Sequence, residues 1–217
     1  MASVTIIGGH GKVALRASRL LADAGHAVTS WVRNPDHAGD VEETGAIAVV
    51  RDAEHMSSDQ MAEALAGAEV VVWSAGAGGG SPERTRAVDH EAAVRSMDPA
   101  ATLADPLYVM VSYFGSKPDH GVPQDNPFFA YAEAKAAADE HLRSTDLRWV
   151  VLGPSTLRDE AGTGRIEVGD ELDSGEVTRD DVAAVVAHVV EHPELAGRTI
   201  RFNNGETPVA EALPRLT

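Results

Sequence analysis

The sequence predicts an α/β protein built on a doubly wound parallel sheet. Three observations predict it. Short β-branched runs alternate with stretches of helical period, almost without interruption, from Ser3 to Leu152. The strand at residues 69–74 carries a continuous apolar run, Val70-Val71-Val72-Trp73, as in a parallel strand covered on both faces. The first strand ends at glycine and opens directly into a helix.

Residues 3–7 form the first strand. In the helix that follows, Val13, Ala17, Leu20, Leu21 and Ala24 recur three or four apart. Gly25-His26 turns the chain into a second strand at 27–32, which Pro35 stops. Residues 36–45 are acidic and weakly helical, and 46–50 are a third strand running into Arg51-Asp52. Ser57-Ser58-Asp59 is an N-cap cluster for a helix over 60–66, which Gly67 terminates. The fourth strand leads into the glycine-rich segment 75–80. Ser81-Pro82-Glu83 then opens a long helix expected to reach Asp98, before Pro99. A fifth strand at 107–112, a polar, proline-containing loop at 113–127, a helix at 128–143 and a sixth strand at 147–152 follow. Beyond Gly153-Pro154 the reading is a glycine-punctuated loop over 158–175, a capping-box-like Thr178-Arg179-Asp180-Asp181, a helix over 182–191 and a last strand at 199–202. The expectation is one domain over residues 1–217, with 153–217 a small lobe on the substrate side.

Lys and Arg total 18 against 34 Asp and Glu, a formal net charge of −16. Such a surface repels phosphate backbones and anionic membranes, so neither nucleic acid nor membrane is an expected partner. With no cysteine, disulfides and thiolate chemistry are excluded. No basic segment leads into an apolar one at the start, and no apolar run reaches the roughly 18 residues of a membrane span. The expected setting is the cytoplasm, the expected partner a small molecule, and the expected state a monomer or homodimer.

Gly8, Gly11 and Ala14 fall at Gly-x-x-Gly-x-x-Ala spacing. The turn therefore has no side chain where a pyrophosphate must approach, and a small residue where helix packs on strand. The helix N-terminus beyond it offers N–H donors and a positive dipole end. Gly8, Gly9, His10, Gly11, Lys12 and Val13 are accordingly candidate dinucleotide contacts. Arg33 ends the second strand, where a site selective for NAD would hold an acid. Its fork and permanent charge suit the 2′-phosphate of NADP, while nearby Asp36 keeps NAD possible. Asp52 ends the third strand and could accept from an adenine amino group. Ser74, Ala75 and Gly76 let a dinucleotide lie against bare backbone.

Tyr131 and Lys135 lie four apart, hence on one helix face, and Ser112 ends the preceding strand. Reduction of a carbonyl needs a proton donor for the developing alkoxide. Tyr131 would serve with its pKa lowered by Lys135, which would also hold the nicotinamide ribose; Ser112 would orient the carbonyl oxygen. Tyr113, Phe114 and Phe128 offer stacking surface for a substrate.

These residues together, with the start of the helix at Asp180-Asp181-Val182-Ala183, resemble the atypical short-chain dehydrogenase/reductases, and within them the small epimerase-like proteins related to biliverdin and flavin reductases. The resemblance spans essentially the whole chain. It implies a Rossmann fold with a seventh strand, NADP(H) in the glycine site, and Ser112, Tyr131 and Lys135 as the catalytic set. It also places Pro154 and Ser155 beside the cofactor, where relatives often read Arg-Pro-Gly, so an arginine contact is missing here. The function expected is reduction of a small carbonyl, quinone or flavin-like compound. The alternatives are a sensor that binds the dinucleotide without turnover and, ranked lower, an epimerase. His188-Val189-Val190-Glu191-His192 has zinc-peptidase spacing, but it closes a helix just before Pro193, where histidines complement the dipole. No metal site is expected.

Overall fold

The computed structural model describes residues 1–79 and 81–213. Its elements run β1 (Ser3–Ile7), α1 (Lys12–Asp23), β2 (Ala27–Val32), α2 (Ala38–Glu42), β3 (Ile47–Val50), α3 (Ser58–Leu65), β4 (Val70–Trp73) and α4 (Pro82–Thr85). A π-helical stretch (Arg86–Ala92) joins α4 to α5 (Ala93–Ala100). β5 (Leu107–Val111), α6 (Phe129–Ser144), β6 (Arg148–Pro154), β7 (Thr156–Arg158), β8 (Arg165–Val168), β9 (Glu176–Thr178), α7 (Arg179–Glu191), β10 (Arg198–Asn204), β11 (Thr207–Pro208) and α8 (Val209–Ala212) complete it.

The main sheet has the order β11-β8-β10-β6-β5-β4-β1-β2-β3. Every pairing from β10 across to β3 is parallel. The chain winds outward from β1 in both directions, so the carboxyl ends of β1 and β4 flank the point where strand order reverses, which is where such sheets bind ligands. Two apolar layers sandwich the sheet. Val4, Ile6, Val72, Val109, Val150 and Leu152 meet α1 and α7 on one face. Ile7, Val71, Trp73, Tyr108 and Met110 meet α3, α5 and α6 on the other.

Three stretches depart from the expectation, each for a physical reason. The loop expected over 158–175 contains β8, which pairs antiparallel with β10 and carries the sheet past its parallel part. The Arg165-Ile166-Glu167-Val168 alternation of β8 spans only four residues between Gly164 and Gly169, where the glycines read as loop. β8, β10 and β11 therefore extend the same sheet, while β7 and β9 pair in a separate two-stranded one. The long helix passes through Pro99 to Ala100 and carries a π-helical stretch, because a proline near a helix end forfeits only one bond. The α3 cap is stronger than expected, a reciprocal box of Ser57 and Gln60. Gly80, in the expected glycine-rich segment, lies outside the described residues.

Candidate functional site

The glycine turn is held by the sheet itself. Gly9 N–H donates to Trp31 O at 2.8 Å and Ser74 N–H to Ile7 O at 2.9 Å, fixing the ends of β1, β2 and β4 together. Gly8 has φ +88°, and a Cβ there would lie 2.5 Å from Ala75 Cα; a Cβ on Gly9 would lie 2.5 Å from Ser30 Cβ. Both positions therefore exclude any side chain. Gly11 is the N-cap of α1, no side chain caps the helix, and no acid sits in its first turn. The N–H donors at that end are thus open to the cleft, as an anion site requires.

Two cavities of about 430 and 620 Å³ meet over Gly11 and residues 74–78. Together they form one elongated cleft across the switch point, with a floor of bare backbone. The smaller part is lined by Gly8, His10, Arg33, His37, Arg51, Asp52, Glu54 and Arg84. It gathers cations in a protein of net charge −16. Arg33 and Arg84 share one acceptor there, Glu54 Oε2, at 3.6 and 3.5 Å. Arg95 pins the segment that carries Glu54 by donating to the carbonyls of Ala53, Glu54 and Met56. Asp52 is engaged with Glu54 N–H at 3.2 Å and His55 Nδ1 at 2.9 Å. His10 stacks on His37 with centroids 3.6 Å apart and contacts Asp40 at 2.7 Å.

The larger cavity is lined by Lys12, Val13, Ser112, Tyr131, Lys135 and Arg179, among others. Lys12 and Arg179 both meet Asp159, at 2.7 and 3.0 Å, across the cleft mouth. Tyr113, Phe128 and Tyr131 form a ring cluster with centroids 5.1 to 5.5 Å apart. The fold thus brings Ser112, Tyr131 and Lys135 to one cavity, but each stands in a setting different from the one expected. Lys135 is 1% exposed and its ammonium donates to Val111 O at 2.9 Å. The Tyr131 phenol is pushed up, not down, by burial first and then by the carboxylates of Asp89 and Asp139 and the neighbouring Tyr113. Ser112 Oγ meets Asp139 Oδ2 at 2.5 Å, and while that acid is ionised the hydroxyl's one proton is directed to it and away from the cavity.

Pro154 and Ser155, expected beside the cofactor, line neither cavity. Ser155 Oγ instead donates to Asn203 Oδ1 at 2.5 Å and accepts from Gly175 N–H at 3.1 Å, tying β6 to β10. Leu157 and Arg179 stand at the cavity in their place. His188 contacts Leu213 O at 3.1 Å and His192 contacts Glu194 at 3.0 Å, so both rings serve the end of α7.

Sequence reasoning passed over two buried acids. Asp89, in the π-helical stretch, is 2% exposed, accepts from Ala77 N–H at 2.9 Å and lines the larger cavity. Burial raises its pKa against the opposing pull of Lys135, the Ala77 amide and Arg84. A Cβ on Gly76 would sit 3.0 Å from Asp89 Oδ1, so that glycine makes room for this acid. Asp139 is fully buried and accepts from Ser112 and Ser116 on the same oxygen. The readable signal is stripe position. Lys135, Asp139 and Leu142 are all buried on α6, and an acid on such a stripe needs a partner.

Comparison with known proteins agrees with this geometry. Residues 8–193 match a family model described as NAD(P)H-binding. Over 216 residues the chain is 31% identical to a Bacillus subtilis protein named Uncharacterized sugar epimerase YhfK, covering 98% of this chain and 99% of the relative. A solved structure from Bacillus halodurans, provisionally described as an NAD-dependent epimerase/dehydratase, superposes with TM-score 0.90 at 29% identity, covering 98% of this chain and 99% of that one. The structure of the oxidoreductase ylbE from Lactococcus lactis superposes with TM-score 0.85 at 26% identity, covering 97% and 94%.

Proposed function

Because the chain belongs to the NAD(P)H-binding family, we propose that it is an NADP(H)-dependent reductase of the short-chain type, acting on a small carbonyl, quinone or flavin-like compound. One observation carries the reading: the side-chain-free cradle at Gly8, Gly9 and Gly11 is continuous with the cavity that holds Ser112, Tyr131 and Lys135. The cradle fits a dinucleotide, since backbone N–H groups and an uncapped helix N-terminus face the place its diphosphate needs. When bound, the reduced nicotinamide supplies the hydride.

This chain's residues do the rest. Gly8 to Val13 hold the diphosphate, and Lys12 adds charge at the helix start. Arg33, with Arg51 and Arg84 nearby, receives a 2′-phosphate, which would take the place of Glu54 as the shared acceptor. Asp52 faces the adenine end. Ala75 and Gly76 keep the floor low, and Ser74 lines both halves of the cleft. Lys135 fixes the end of β5 through Val111 O and so sets the distance from Ser112 to the cleft. Tyr131 delivers the proton. A phenol is protonated at neutral pH, so Tyr131 serves as an acid without prior ionisation, and the raised pKa makes it a weaker one. Tyr113 and Phe128 offer faces for a planar substrate.

Two further readings rest on particular observations. A dinucleotide sensor is favoured by the Ser112 proton that points to Asp139 and by the raised Tyr131 pKa. An epimerase is suggested by the name of the Bacillus subtilis relative. Mixing NADPH with a carbonyl, quinone and flavin panel separates them, because a reductase oxidises the cofactor, a sensor binds it unchanged, and an epimerase retains it through turnover. Within the reductase reading, Tyr131→Phe should leave NADPH affinity nearly unchanged while the rate falls about a hundredfold or more. An unchanged rate removes Tyr131 from the chemistry.

A further inference from the structure

Asp139 sits behind Ser112, out of the cavity, with no water contact of its own. Its Oδ2 receives two hydroxyls, Ser112 Oγ from the end of β5 and Ser116 Oγ from the following loop, each at 2.5 Å. Its Oδ1 is buried without a hydrogen-bond partner among the described residues. A carboxylate so placed leaves one charged oxygen buried without a donor, which is a costly arrangement for an anion and a cheaper one for a neutral acid.

We infer that Asp139 is a positioning residue whose single proton decides whether Ser112 offers the cleft a hydrogen-bond donor or only lone pairs. The inference rests on the reductase reading and deepens it. A hydroxyl has one proton to give. With Asp139 ionised, both serines spend theirs on Oδ2, and Ser112 can only accept from a ligand. With Asp139 neutral, its own proton lies on Oδ2 and donates to Ser112 Oγ. Ser116 still donates to the remaining lone pair of Oδ2, and the Ser112 proton is released toward the cavity. Both oxygen contacts survive the change, so no heavy atom has to move. The neutral state polarises a carbonyl oxygen; the ionised state holds a hydroxyl. Reduction therefore weakens as Asp139 ionises.

The charged and titratable groups around this acid come from several elements. Lys135 and Arg143 on α6 favour the anion. Tyr131 on the same helix and Tyr113 after β5 face it, and Asp89 in the π-helical stretch faces Lys135 and Tyr131. Burial is the largest influence on Asp139 and raises its pKa.

The test uses the full chain, carbon-13-labelled at aspartate carboxyls, with the Asp139 resonance identified by its loss in Asp139→Asn. Its midpoint should lie above the ordinary carboxylate value of about 4. It should move further up in Ser112→Ala, which removes a donor to the anion. A midpoint at or below the ordinary value, or one indifferent to Ser112→Ala, overturns the inference. With NADPH and 9,10-phenanthrenequinone as the probe, kcat/KM should fall along a limb at the same pH. That limb should vanish in Asp139→Asn, where both serines keep a partner whichever way the amide faces, while the NADPH dissociation constant stays within about twofold. A limb that persists in Asp139→Asn refutes the gating. If the wild type does not reduce the quinone, the reductase reading fails, and the carbon-13 midpoints still decide whether Asp139 is coupled to Ser112.

Discussion

Gly9 and Ser30 should be energetically coupled in a way that Gly8 and Ala75 are not. A Cβ added at Gly9 would lie 2.5 Å from Ser30 Cβ and 3.2 Å from the Ser30 backbone, so the worst clash is with a side chain. At Gly8 the clash is with backbone, 2.5 Å from Ala75 Cα and 2.6 Å from its N, and φ is +88°. Overpacking at either site costs about 1–3 kcal/mol, and the left-handed backbone at Gly8 adds about 1–2 kcal/mol for a residue with a Cβ. Gly8→Ala should thus lose about 2–5 kcal/mol, a large share of the roughly 5–15 kcal/mol of a typical domain. Gly9→Ala should lose less and should be rescued in part by Ser30→Gly, which deletes the clashing Cβ. Ser30→Gly carries its own cost, because Ser30 Oγ meets the buried Ser18 Oγ at 3.0 Å. The double-mutant cycle removes that cost from the coupling. Urea unfolding of the four proteins of the cycle should give a coupling of about 1 kcal/mol or more, whereas Ala75→Gly should rescue Gly8→Ala far less. Additivity within about 0.5 kcal/mol at Gly9 and Ser30 would refute the claim that β1 and β2 approach this closely.

Arg33→Ala should weaken NADPH binding much more than NADH binding, and equal weakening in calorimetric titrations would dismiss the 2′-phosphate assignment. Glu54→Gln should strengthen NADPH relative to NADH, because the acceptor that competes for Arg33 and Arg84 loses its charge. Stability should depend on pH through Asp89. Its folded pKa is raised, so between the ordinary value of about 4 and the raised one the native state binds more protons than the unfolded chain, and the free energy of unfolding falls as pH rises. Asp89→Asn should flatten that fall in urea midpoints measured across pH, and an equal slope in both proteins would count against a buried, uncharged Asp89.

The parallel core was legible because each of its elements carries a local signature. The β-branched runs of β1, β4 and β6, the capping serine of α3 and the proline opening α4 all stand in the chain as residue types with one preferred use. What the chain hid was decided by long-range pairing. β8 is a strand because β10 offers it a ladder, and its four-residue alternation is set among Gly162, Gly164 and Gly169, which read locally as loop. Ser155 showed the same limit in the site: the family resemblance implied a ligand contact, and only the return of β10 supplies the Asn203 that claims its hydroxyl.

The two overlooked acids follow from a rule that the expected triad obscured. Attention to Tyr131 and Lys135 treats α6 as a carrier of two residues four apart, yet the next position on that face is Asp139, one turn further on. On the neighbouring segment, Thr85, Asp89, Ala92 and Ser96 repeat at spacings of four, three and four, and all are buried. Each acid therefore stands on a buried stripe, where an unpartnered carboxyl would be expelled. Their persistence requires donors, and the donors are the Ala77 amide for Asp89 and Ser112 with Ser116 for Asp139. Both sets lie at the ends of parallel strands or just beyond them, so the pressure to satisfy a buried acid also fixes the loops that frame the cleft. A helix stripe broken by an acid, opposite a strand that ends in serine or in a glycine-rich turn, is thus a sequence sign of a polar site above a parallel sheet.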